Sequence, residues 1–219
     1  MKKIFNIAPE GYKIIFYTLI IWFTAYLSSI YFDYSWISLL SMYLFYLVLI
    51  ICYFFRDPIR KILYDEQKFL SPTDGRILSI KKYHDQDIGE SVKIAIFLSF
   101  FNVHRQWIPK SAKVLDTIYN PGKFFGAFRN KASDKNEQTS ILFCDNDKNL
   151  FKIKQIAGFV ARRIVNHMNP NSNVSQGEKL GFIKFGSRVE IIVPKDFNLK
   201  VKEGAKVKGC KTVIGNFSS

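Results

Sequence analysis

Cysteine and histidine are both scarce, three of each in 219 residues. Cys52, Cys144 and Cys210 show no CxxC spacing, which excludes a disulfide framework and a thiolate zinc site and suits a reducing compartment. His84, His104 and His167 are scattered without metal-ligand spacing, so no metal is expected. There is no GxSxG element, and so no sign of an α/β-hydrolase nucleophile elbow. Acidic side chains are few, 18 against 32 Lys and Arg. The net charge of +14 points to an anionic partner, either nucleic acid or the phosphates of a lipid surface. No recognised nucleic-acid-binding motif accompanies the charge, so no nucleic acid is expected. Long repeats and low-complexity linkers are lacking too, and the length suits one well-buried domain with a small attachment.

Apolar and aromatic residues, by contrast, are abundant: 48% hydrophobic and 16% aromatic, with 21 Phe and 11 Tyr. The excess is concentrated near the N-terminus. Residues 14–32 (IIFYTLIIWFTAYLSSIYF) and 36–55 (WISLLSMYLFYLVLIICYFF) carry no Lys, Arg, Asp, Glu or His. Each is about the 20 residues that a hydrocarbon core requires. Only Asp33, Tyr34 and Ser35 lie between them, which predicts a two-helix transmembrane hairpin within residues 1–56. Lys2, Lys3 and Lys13 flank one end and Arg56, Arg60 and Lys61 the other. The positive-inside rule then places both ends, and everything after residue 56, on the cytoplasmic side of the cell membrane. A cleaved signal peptide fits poorly, because a second apolar span follows at once. A buried soluble hairpin would show a polar face, which these spans lack.

Residues 57–219 read as the second part. From Ile62 onward, 26 basic and 15 acidic residues leave +11 on this portion. Strand-length runs such as RILSIKKY, VKIAIFLSF, SILFCD, FKIKQIAGFV and VEIIVP are punctuated by Gly, Pro, Asn and Asp. The pattern predicts a mainly β, antiparallel sandwich or barrel rather than βαβ units. Near the C-terminus, Val201, Gly204, Val207, Gly209 and Val213 punctuate two short strands in the manner of lipoyl-like hairpins. Residues 157–168 (AGFVARRIVNHM) are expected to contain a helical turn or two.

Four segments are candidates for chemistry, although each has a plain structural explanation. FRDPIR, from Phe55, marks a helix end with snorkelling bases. SPTDG, from Ser71 to Gly75, is turn-forming. FNVHR places His104 after a strand, where a histidine is structural or a proton-transfer group. FGSR, from Phe185 to Arg188, reads alone as a bend. Taken in order, and with FLSFFNVHRQWIP, GKFFGAFRNKASDKNEQ, QIAGFVARRIV and GFIKFGSRVEIIVP, they resemble the phosphatidylserine decarboxylase proenzymes of the short bacterial and archaeal type. The resemblance runs from Phe55 to Gly215, and a two-helix anchor ahead of the catalytic domain matches that type.

The resemblance implies an inactive precursor that cuts itself between Gly186 and Ser187, giving a β chain of residues 1–186 and an α chain of residues 187–219. Ser187 would become a covalent pyruvoyl group, which forms a Schiff base with phosphatidylserine and serves as electron sink while phosphatidylethanolamine is made. Pyridoxal phosphate and metal are then not required. Such a cut needs a base for the Ser187 hydroxyl. His104 is the candidate, with Asp74 orienting its imidazole as in a hydrolase triad. His104 would also protonate the carbanion after carbon dioxide leaves. Longer family members carry a second histidine where this chain has Trp107, and Thr73 stands where Ala is usual. The substrate is expected at the membrane surface, with Arg105, Arg162, Arg163 and Arg188 as candidate headgroup ligands, and a homo-oligomer is expected. The alternative from another class is a membrane-tethered, non-catalytic β-sandwich that binds an anionic partner.

Overall fold

The computed structural model describes residues 6–32, 34–62, 64–122, 136–158, 163–184 and 187–218. Gly186, Arg162, Asp33, Lys2 and Lys3, together with most of GKFFGAFRNKASDKNEQ, lie outside the described residues. Two compact units divide the chain, Met1–Ile59 and Arg60–Ser219.

In the first unit a short 3-10 turn, Pro9–Gly11, leads into α1, Tyr12–Phe32, and α2 follows as Ser35–Phe54. The helix limits fall within two residues of those expected from hydropathy. At 1.5 Å per residue each is about 30 Å long, enough to cross a hydrocarbon core. Polar side chains inside α1 are satisfied locally: Thr18 Oγ1 donates to the Ile14 carbonyl at 2.5 Å and Ser29 Oγ to the Tyr26 carbonyl at 2.7 Å. In a medium without water such groups have no other partner. Trp22 packs against Phe45 across the hairpin, with ring centroids 5.5 Å apart. The open end is tied by main-chain bonds from Ala8 N–H to the Phe55 carbonyl and from Asp57 N–H to the Asn6 carbonyl, both 2.7 Å. There Arg56 lies 4.0 Å over the Tyr53 ring.

The second unit is mainly β, and every strand pairing in it is antiparallel. Its strands are β1 (Phe69–Leu70), β2 (Gly75–Asp85), β3 (Gly89–Leu98), β4 (Arg105–Trp107), β5 (Ala112–Asn120), β6 (Gln138–Asp145) and β7 (Leu150–Ala157). They continue with β8 (Ile164–Asn166), β9 (Asn173–Val174), β10 (Lys179–Ile183), β11 (Ser187–Pro194), β12 (Asn198–Leu199), β13 (Lys206–Val207) and β14 (Val213–Asn216). An eight-stranded sheet runs β13-β2-β3-β11-β7-β6-β5-β9, and two three-stranded sheets run β1-β14-β12 and β4-β10-β8.

The alternation read in VEIIVP explains the placing of β11. Val189, Ile191 and Val193 enter the main core with Ile94, Ile96, Leu98 and Ile153 from the flanking strands. Arg188 and Glu190, on the opposite face, are also buried and form an ion pair at 2.6 Å. A strand covered on both faces and paired on both edges is held more firmly than an edge strand. Phe69, Phe151, Phe197 and Phe217 form a cluster with centroids 5.1 to 6.2 Å apart, edge-to-face except for the tilted pair Phe151 and Phe217. The helical turn expected within residues 157–168 is corrected at its described end, where Ile164–Asn166 is extended because it pairs with β10.

Candidate active site

Ser187 is the first residue of β11, paired with Leu98 of β3 and Ala157 of β7. It is fully buried, and among the described residues its Oγ has no hydrogen-bond partner. A hydroxyl withdrawn from water without compensation costs about 1–3 kcal/mol, so its placement calls for a chemical reason.

His104, in the loop between β3 and β4, is also fully buried. The β3 strand ends at Leu98, and the chain then turns so that Asn102 N–H reaches the Ser99 carbonyl at 2.9 Å. Asn102 Oδ1 closes the turn by accepting from Ser99 N–H at 2.9 Å and Ser99 Oγ at 2.8 Å. The turn brings the Asn102 carbonyl 3.0 Å from His104 Nδ1. A carbonyl only accepts, so Nδ1 carries the hydrogen and Nε2 is the basic nitrogen of the neutral ring. The His104 backbone is held as well. Its carbonyl accepts from Gln106 Nε2 at 2.7 Å and from Ile183 N–H at 3.3 Å. Gln155 of β7 in turn donates to Gln106 Oε1 at 2.9 Å, a buried amide chain that locks the loop to the central sheet.

Asp74 ends the SPTDG turn. Both its oxygens accept from Arg60, at 2.6 and 2.7 Å, and Oδ1 also accepts from Gly209 N–H at 2.9 Å. Arg60 donates to the Gly209 carbonyl at 2.6 Å, and its guanidinium lies 4.2 Å over the Trp107 ring. Among the described residues the Asp74 carboxylate is thus held by Arg60 and Gly209, and His104 Nδ1 by the Asn102 carbonyl. Two glycines allow these close approaches. A Cβ on Gly75 would overlap the Phe97 carbonyl, and one on Gly209 would stand 2.7 Å from the Trp107 ring. Cys210 lies beside the clamp. Burial pushes its thiol up to about 12, Arg60 opposing the rise and Asp74 adding to it, so the thiolate is disfavoured at neutral pH.

Two of the expected headgroup ligands have interior partners. Arg188 is paired to Glu190, and Arg105, 1% exposed, reaches towards His167 Nε2 at 3.4 Å and lies over the Phe182 ring. Arg163 is exposed. Beside Asp74 and Asn102 opens a cleft of about 670 Å³ whose walls carry Arg76, Lys206 and Lys208. Sequence reasoning missed these three, along with Arg60, Asn102, Gln106 and Gln155. For Arg60 the signal was its place in FRDPIR, where it passed for a membrane-flanking base. Among the described residues no cluster of three His, Cys, Asp or Glu side chains is arranged to hold a metal ion.

A hydroxyl with no partner among the described residues at the head of a central strand, and an imidazole whose Nδ1 is held by main chain, are a buried serine and a buried histidine of one mainly β unit. Comparison with known proteins narrows the class. The family model for phosphatidylserine decarboxylase matches residues 47–215, and the chain belongs to that family. Relatives described as phosphatidylserine decarboxylase proenzyme include one from Syntrophus aciditrophicus, 36% identical over 99% of this chain and 100% of its own length. Another, from Desulfotalea psychrophila, is 41% identical over 74% of this chain and 77% of its own. A third, from Neisseria gonorrhoeae, is 42% identical over 74% of this chain and 62% of its own.

Proposed function

We propose that the chain is a self-processing precursor of an enzyme that decarboxylates phosphatidylserine to phosphatidylethanolamine, with Ser187 as the source of a pyruvoyl group. The observation that carries this reading is the buried Ser187 Oγ without a hydrogen-bond partner among the described residues, in a chain of this family. In the cut, Ser187 Oγ attacks the Gly186 carbonyl carbon while His104 Nε2 takes the hydroxyl proton. The Gly186–Ser187 C–N bond breaks and the acyl group passes to oxygen, leaving an ester on Ser187 and a free amine. Loss of the Ser187 Cα proton and of the Cβ–O bond then releases residues 1–186 with a carboxylate terminus. The dehydroalanine that remains tautomerises, takes up water and loses ammonia. The ketone so formed supplies the electron sink for decarboxylation.

The chain's own residues do the rest. His104, held by the Asn102 carbonyl, delivers a proton to the carbon that has lost carboxylate. Asp74 acts at one remove, through Arg60 and Gly209. Core packing around β11 keeps bulk water away. The two apolar helices are read as a membrane hairpin with the catalytic unit on the cytoplasmic side, supported by their length and by the bases at their open end. A phospholipid loses about 0.8 kcal/mol per methylene withdrawn from the bilayer, so an anchored enzyme need lift only the headgroup.

Intact-mass analysis tests the reading. Two chains ending at 186 and beginning at 187, the second bearing a carbonyl, are expected. Ser187→Ala should give one uncut chain that releases no carbon dioxide from phosphatidylserine vesicles. An unaltered chain that stays whole would point instead to a tethered, non-catalytic module.

A further inference from the structure

We infer that the cleft beside Asp74 is the phosphodiester subsite of the headgroup, with Arg76 and Lys206 as its specificity-determining cations; this rests on the function proposed above. Lys206 of β13 and Arg76 of β2 are direct cross-strand partners. Like charges directly opposite on neighbouring antiparallel strands destabilise a sheet, because their Cβ atoms stand about 5 Å apart. Among the described residues neither side chain has a carboxylate partner to offset this, nor does that of Lys208, and all three are exposed. The one carboxylate in the cleft wall, Asp74, is already neutralised by Arg60.

Neutral donors point the same way. The two hydrogen bonds of the Asn102 side chain, both from Ser99, use its oxygen, so its amide hydrogens remain available among the described residues. A space of about 670 Å³ with three cations, an amide donor and no uncompensated anion suits a singly charged phosphate diester.

Position ties the cleft to the chemistry. Arg76 pairs across β2 and β3 with Phe97, whose neighbour Leu98 pairs with Ser187. Asn102 lines the cleft and also holds His104. In a serine phospholipid only two carbons and an oxygen separate the amine from phosphorus, so the proposal requires residue 187 to lie within that short span of the phosphate. The cleft is also built from both products of the cut, Arg76 from residues 1–186 and Lys206 and Lys208 from residues 187–219.

The test uses the full chain in detergent, with rates expressed per cleaved chain so that an effect on folding or on the cut is set apart. Arg76→Gln with Lys206→Gln should raise KM for phosphatidylserine in mixed micelles about tenfold or more, with kcat within about twofold. Arg76→Lys with Lys206→Arg, which keep the charge, should recover most of the loss. An unchanged KM in the Gln pair overturns the proposal.

A second arm measures binding to the uncut Ser187→Ala chain, with glycerophosphoserine and inorganic phosphate as probes. Glycerophosphoserine displacing phosphate, and neither binding the Gln pair, supports a headgroup subsite. Phosphate binding that glycerophosphoserine does not displace makes it a free-phosphate site and overturns the proposal. If the unaltered chain releases no carbon dioxide yet glycerophosphoserine binds in an Arg76-dependent way, the decarboxylase reading fails while the subsite stands.

Discussion

At His104 a main-chain carbonyl stands where a hydrolase triad has a carboxylate. The Asn102 carbonyl fixes the tautomer, and that carbonyl is set by a turn that Ser99 closes. Asp74 is then free to act as a clamp, and the two roles predict different phenotypes. If Asp74 served His104 directly, Asp74→Asn would stop self-cleavage while Arg60→Ala would spare it. For a clamp the two variants behave alike, each costing about 3 kcal/mol because one removes the partner of a buried guanidinium and the other that of a buried carboxylate. The double variant costs far less than the sum. Urea unfolding and the cleaved fraction of all three variants decide between them. Ser187, His104 and Asp74 were all legible in the sequence as members of motifs. Their hydrogen bonds were not, because Arg60 meets Gly209 across 149 positions of chain and no local pattern announces such a meeting. The neighbouring Cys210, with its thiol pushed up to about 12, should resist iodoacetamide at pH 8 in the folded chain and react once unfolded. Labelling of the native protein at that cysteine would contradict the buried clamp.

At the scale of elements, the long strands were readable and the short ones were not. VEIIVP and VKIAIFLSF carry their own periodicity, whereas β1, β9, β12 and β13 have two residues each and exist only through their partners. The same dependence on partners made Ile164–Asn166 a strand where local composition suggested helix. One buried pair joins distant elements. Lys152 of β7 donates at 2.6 Å to Asp85, at the end of β2, and at 2.6 Å to Asp87. Burial pushes the Asp85 carboxyl up, but the hydrogen bond from Lys152 and those from main-chain N–H groups outweigh it, leaving the group below its ordinary 3.8. Burial lowers Lys152 in the same way, and its bonds to Asp85 and Asp87 outweigh that and carry it above 10.5. A depressed carboxyl stabilises fully above its unfolded value and loses this as pH falls through its folded one. A raised ammonium stabilises fully below its unfolded value and loses this as pH rises through its folded one. The pair therefore contributes fully between about pH 4 and 10.5, from the ordinary values of the two groups. Lys152→Met should lower the stability of the second unit by about 3 kcal/mol on that plateau. The gap in Tm from the unaltered chain should narrow at both extremes, and a gap independent of pH would remove the ion pair as its cause.

For the whole molecule, the mainly β character was legible, because the patterning of apolar residues is read along the chain and needs no knowledge of contacts. Which strands sit at the centre was not legible, and it would govern the fate of the two products of the proposed cut. β11 is bonded to β3 from Ser187 to Pro194 and to β7 from Ser187 to Ile192. Phe197 and Phe217 lie in the aromatic cluster with Phe69 and Phe151 from the other product. Residues 187–219 should thus remain bound to residues 1–186 through detergent exchange and gel filtration, and separate only on denaturation. The proposed attachment to the bilayer has two parts, one on each side of residue 61. Of the +14, +11 lies beyond residue 61, and attraction of such a charge to anionic lipid falls away once the Debye length shrinks to about 3 Å in 1 M salt. Two helices of 21 and 20 residues with apolar surfaces would, as a membrane hairpin, hold by hydrocarbon burial, which salt does not weaken. The full chain should therefore stay with vesicles through a 1 M salt wash and leave only in detergent, whereas release by salt would show that charge alone holds it there and that the hairpin does not span.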